Sequence, residues 1–103
     1  MRLQTVRRFA MGLEGTTEEP HHHFSSFRVG GKIYVTIPPE EDRIHVFVPG
    51  PIREPALELH GDFCEELPWG KKIVGLRVFL EHADREVVKR LVRAAWATKT
   101  AKG

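Results

Sequence analysis

A single cysteine, Cys64, stands in the 103-residue chain, so no internal disulfide can form, and a reducing compartment is expected. Long apolar runs are missing too: none approaches the roughly 20 residues that a bilayer-spanning helix needs. The segment from Met1 to Gly15 is basic, but Arg7, Arg8 and Glu14 break up its apolar residues. A secretory signal needs a continuous apolar stretch of about 7 to 15 residues, so the expected address is cytoplasmic, away from membranes. Catalytic signatures are also absent. There is no glycine-rich phosphate loop and no paired-carboxylate motif. The neighbours of Cys64 are Glu65 and Glu66, which raise a thiol pKa when an activated nucleophile needs it lowered. Neither enzyme activity nor a cofactor is expected.

What is present suits one domain spanning residues 1–103, with a frayed tail over 98–103. Apolar residues make up 41% and charged residues 29%, enough for a core and too apolar for wholesale disorder. Charge is uneven along the chain. Met1 to Pro68 holds seven Lys and Arg against eleven Asp and Glu, and Trp69 to Gly103 holds nine against three. A basic C-terminal third attracts phosphates or acidic partners, although a solvated helix face has the same composition.

Val6, Phe9, Ala10 and Leu13 form one helical stripe, with Thr5 as N-cap and Gly15 as the stop. Thr16 to His23 is polar, contains Pro20 and reads as a loop. Three strands follow. Phe27 and Val29 alternate with polar residues, Gly30-Gly31 makes a type I′ hairpin turn, and Ile33, Val35 and Ile37 alternate with Tyr34 and Thr36. After Pro38-Pro39, the residues Ile44, Val46 and Val48 alternate again, completing an antiparallel meander. Pro55 to His60 reads as a short helix, Phe63 to Leu67 as a short strand, and Ile73 to Leu80 as a strand with Val74, Leu76, Val78 and Leu80 on one side. Asp84 caps a last helix whose buried stripe is Val88, Leu91, Val92 and Ala95. No internal repeat is apparent. The expected fold is α+β: an antiparallel sheet with the N- and C-terminal helices packed on one face. Ile33, Val35, Val46 and Val78 should lie against those helices.

Three segments, in this order and spacing, resemble the MmcQ/YjbR-like family: Leu13-Glu14-Gly15-Thr16-Thr17-Glu18-Glu19-Pro20-His21, Phe27-Arg28-Val29-Gly30-Gly31-Lys32-Ile33-Tyr34, and Trp69-Gly70-Lys71-Lys72. The resemblance covers most of the chain. It implies a frataxin-like α+β fold and binding of double-stranded DNA through two β-hairpin wings. Carried over by position, the first wing is the Gly30-Gly31 hairpin with Arg28 and Lys32, and the second is the loop holding Trp69, Lys71 and Lys72.

Two further constellations stand out. Arg28, Tyr34, His45, Phe47 and Arg77 sit opposite the aliphatic side of their strands. Such a face stacks on unpaired bases, forms a protein interface, or simply carries stabilising cross-strand pairs. The alternative to nucleic-acid binding is therefore a protein-interaction or regulatory domain using this face, with a second copy of the chain among its candidate partners. The other constellation is His21-His22-His23, with His45, His60 and His82 elsewhere. Neighbours in an extended segment point to opposite sides, so at most two converge, and no metal site is expected.

Overall fold

The computed structural model describes residues 1–101. Two-residue turns organise the sheet. Gly30 and Gly31 both have positive φ, 58° and 77°, as a type I′ turn requires. The second turn needs only one glycine, Gly70 at φ 63°, followed by Lys71 in an ordinary conformation, the type II′ pattern. A third tight turn is made by His22-His23, with His22 itself left-handed at φ 59°. In chain order the elements are α1 (Leu3–Met11), β1 (Thr16–His21), β2 (Phe24–Val29), β3 (Lys32–Ile37), β4 (Arg43–Val46), α2 (Gly50–Leu59), β5 (Cys64–Trp69), β6 (Lys72–Phe79) and α3 (Arg85–Thr100). The six strands form one antiparallel sheet in the order β1-β2-β3-β4-β6-β5. One face of it carries α3 across β2, β3 and β4, with α1 beside α3, while α2 lies by β5.

The α+β expectation holds. Val35, Val46 and Val78 are fully buried, with Val6, Ala10, Val88, Val92 and Ala95 of the two terminal helices in the same core. Ile33 is half-buried. Two side chains are on the other side from the one expected, for a shared reason. In β2–β3, Phe27 faces Val35 and Arg28 faces Ile33, so Tyr34 is an extra residue. In β5–β6, Leu67 faces Gly75 and Pro68 faces Ile73, so Val74 is extra. A bulge breaks strict alternation. Tyr34, expected on the outer face, is therefore buried with its ring 6.4 Å from that of Phe27 and its Oη 2.8 Å from Thr16 Oγ1. Val74, expected inside, lines a cleft on the outer face.

Several boundaries also differ. Thr16 to His21 is a strand, not a loop. It is an edge, paired on one side only, so it needs no apolar face, and Pro20 is tolerated there. Helix α1 begins two residues before Thr5, with Arg2 as its N-cap and the Arg2 carbonyl accepting from Thr5 N and Val6 N. Helix α2 begins at Gly50, with Pro51 in its first turn, where a missing N–H costs nothing. The expected tail is helical as far as Thr100. Thr98 and Thr100 hydroxyls bond the carbonyls of Ala94 and Ala97, and residues 102–103 of that expected tail lie outside the described residues.

A polar clip holds β1 in place. The Glu18 carboxylate accepts from Arg7 Nε and Nη2 of α1 at 2.8 and 3.1 Å, and from Ser25 Oγ of β2 at 2.7 Å. Burial alone raises this carboxyl, but the hydrogen bonds and the Arg7 charge outweigh it and hold it below the usual carboxylate range. A folded-state pKa below the unfolded one gives stability that is complete above the unfolded value and is lost as pH falls through the folded value. Glu18→Gln is therefore expected to flatten the acid limb of the stability curve between about pH 5 and pH 2. Denaturant midpoints measured across that range check it; equal slopes in both proteins would remove the clip.

Candidate nucleic-acid interface

The antiparallel register decides where the two glycine turns lie. β2 and β5 run the same way, so the β2–β3 and β5–β6 turns leave the sheet at one end, with β4 between the two hairpins. The hairpins match in sequence as well. Each returns from its turn as Gly-x-Lys-Ile, in Gly30-Gly31-Lys32-Ile33 and Gly70-Lys71-Lys72-Ile73, and each carries its bulge four residues after the first glycine, at Tyr34 and Val74. This four-residue likeness is a shared turn pattern, not an internal repeat, and the expectation of no repeat stands unchanged. A bulge at the root of a hairpin bends and twists it, so both projections are re-aimed at the same point.

Lys32, Lys71 and Lys72 are exposed at these projections. Trp69, paired across the second hairpin with Lys72, is 77% exposed. The other two residues singled out from the sequence lie elsewhere. Arg28 is half-buried on the sheet, where its guanidinium donates to Ser26 Oγ at 3.1 Å and to the Pro20 carbonyl at 3.1 Å. Arg77 lies in mid-sheet in a cross-strand row with His45 and Glu65, its Nη1 3.3 Å from Glu65 Oε1. The sequence reading missed Arg53 and Lys99. They border a cavity of about 400 Å³ with Trp69 and Ile73, which brings the end of α3 against the second hairpin. Glu14 lies in the connection leading into β1, on the side of the first hairpin.

The outer sheet face carries a cleft. This cleft, of about 330 Å³, is lined from both edge strands, by His21 of β1 and by Leu67, Pro68 and Trp69 of β5. Phe24, Phe47 and Val74 add apolar surface, and Thr36 and His45 supply the polar groups of its floor. His45 Nδ1 is 3.3 Å from Thr36 Oγ1, while its buried Nε2 has no partner. Burial pushes the His45 pKa down, and the guanidinium charges of Arg77 and Arg43 push it the same way, against a smaller opposing effect of Glu40. The ring is neutral at pH 7. Of the outer-face residues expected from alternation, His45 and Phe47 are in this cleft and Tyr34 is not. Among the described residues, no three His, Cys, Asp or Glu side chains are placed to hold a metal ion, and no helix is long and apolar enough to cross a membrane.

No curated protein and no solved structure matches the chain. The YjbR family model matches residues 11–98, from the last residue of α1 to the final turns of α3, and the chain belongs to that family.

Proposed function

We propose that this protein is a cytoplasmic binding protein that grips the phosphates of double-stranded DNA between two β-hairpin wings, Gly30-Gly31 with Lys32 and Gly70 with Lys71 and Lys72. The observation that carries the reading is the shared end of the sheet from which two hairpins of like sequence and like bulge project their lysines. Paired, exposed ammonium groups on stiff hairpins suit phosphates, and glycine turns let the backbone come close. Such contacts hold a duplex without selecting its sequence. The reading is of binding and not of catalysis. In its support, Cys64 is buried, and burial, followed by the Asp62 charge, pushes its thiol up to about 11, far from a reactive thiolate.

Anisotropy titration of a labelled random-sequence duplex across a salt series tests the proposal. Three lysine–phosphate contacts at about 0.9 each predict a slope of log K against log salt near about −2.7. Binding that is absent, or that ignores salt, overturns it. A protein-interaction reading is favoured by one observation, the exposed Trp69 beside an apolar cleft. Molecular size that grows with concentration, without a DNA shift, supports that reading instead.

A further inference from the structure

We infer that the cleft on the outer face of the sheet is a binding site for one unpaired nucleobase, stacked against Trp69 at the base of the second wing. This goes beyond the wing contacts and rests on them only for the adjoining phosphate. The cleft volume of about 330 Å³ is at the small end of the range of about 300 to 1,000 Å³ for small-molecule sites, which suits a single planar ring system. Rings make up much of its walls, with Phe24 5.9 Å from His45 between centroids and Phe47 and Trp69 beside them, and Leu67, Pro68 and Val74 fill the rest. Flat apolar walls with sparse polar groups favour a flat ligand over an aliphatic one.

The floor does not read a base edge: His45 Nδ1 is taken by Thr36 Oγ1 and His45 Nε2 has no solvent contact, so recognition in the cleft is by stacking. The surroundings supply the rest of a nucleotide. Trp69 is directly across the hairpin from Lys72, and cross-strand side chains are about 5 Å apart. A base on Trp69 thus leaves its own phosphate within reach of Lys72. A ring inside a duplex is not accessible to such a site, so the ligand is a nucleotide whose base has left the stack, in a single strand or free in solution.

The test compares three labelled probes on the whole chain: an oligothymidylate of about 15 nucleotides, an abasic strand with the same number of phosphates, and the random-sequence duplex. Stacking of a base on an aromatic side chain predicts that the oligothymidylate binds about five-fold to a hundred-fold more tightly than the abasic strand. Trp69→Ala, at an exposed position that leaves the core intact, is expected to bring this ratio to near one without changing abasic binding. Trp69→Tyr restores most of it. Val74→Trp fills the cleft with Trp69 still present and collapses the ratio independently. A wild-type ratio near one overturns the site, as does a ratio that both Trp69→Ala and Val74→Trp leave intact. If the abasic strand and duplex bind with a steep salt slope but no base preference, the wings stand and the cleft falls. Trp69 emission is read in a Trp96→Phe background, since Trp96 also emits. Quenching of Trp69 emission by millimolar adenosine, with no strand bound, keeps the cleft as a site for free nucleosides and removes the wings. Trp69 emission that shifts with protein concentration alone seats a second copy on this face and overturns the site.

Discussion

Gly75→Ala is expected to lower stability by about 3 kcal/mol, at the upper end of ordinary overpacking, and the thermal midpoint by roughly 12 to 24 °C. Gly75 is where β4 leaves β6. Pairing between these strands ends at Val46 and Leu76, and the chain then turns away, with Phe47 N still bonded to the Tyr34 carbonyl at 3.1 Å. A Cβ at position 75 would stand 2.1 Å from the Val46 carbonyl oxygen and 3.1 Å from Phe47 Cα. Both are backbone atoms in the middle of a sheet, so no rotamer change relieves the contact. Either β4 moves off β6 or β6 shifts along β5, and each exposes Leu76 and Val78, which have no solvent contact. Gly70→Ala is the comparison. Nothing lies within 4 Å of a Cβ there, so only the left-handed backbone at φ 63° resists substitution, at about 1 to 2 kcal/mol. Thermal denaturation of the two variants separates crowding from backbone strain. A Gly75→Ala protein no less stable than Gly70→Ala would mean that the Val46 backbone does not approach β6 this closely.

The Val46 crossing was not legible in the sequence, and the reason also explains the other surprises. Period-two alternation identified the inward faces of β2, β3, β4 and β6 because these strands are covered by helices and must present an apolar side. It says nothing of an edge such as β1, whose Thr-Thr-Glu-Glu-Pro-His run satisfies only one neighbour. It also fails wherever a residue is inserted. The bulges at Tyr34 and Val74 exchanged a predicted outer side chain for an inner one and the reverse, and no local composition marks them. Trp69 to Lys72 read only as a loop until the family resemblance made it a hairpin, whereas the Gly30-Gly31 turn was legible from the glycines that its geometry requires. Lys99 was not, since a Thr-Lys-Thr-Ala-Lys ending looks frayed until hydroxyl-to-carbonyl bonds carry α3 on to the second hairpin. The cleft was half legible. Its floor residues His45 and Phe47 follow from alternation, but its walls come from opposite edges of the sheet, which meet only through accumulated twist and coiling.

Reversing Lys71 and Lys72 to glutamate is expected to weaken duplex binding by roughly fifty-fold or more at 0.1 M salt and to reduce the salt slope by about 1.8. The size follows from counterion release: two contacts at about 0.9 each amount to about 1.8 decades at 0.1 M relative to 1 M salt, before any repulsion by the new carboxylates. The second wing should matter more than the first. It carries two exposed lysines with Lys99 and Arg53 behind them, whereas Lys32 has Glu14 on its side of the sheet. The loss should be similar for every duplex sequence, since phosphate contacts hold no base information. Folding should shift by less than about 0.5 kcal/mol, because both ammonium groups are in solvent at the tip of a hairpin. The control must change the same charge elsewhere, and a tail residue does not serve, because Lys99 borders the second wing. Arg2 and Arg85 do. Both are exposed, and both line a pocket with Glu81 at the far end of the sheet, beyond the close of β6. If Arg2→Glu with Arg85→Glu weakens binding as much as the lysine pair does, bulk charge alone attracts the DNA and the wings have no special part in it. If the control is near wild type while the lysine pair loses both affinity and slope, the contacts are at the wing. The same pair of proteins then gives the number of phosphates held there, read from the difference between the two salt slopes.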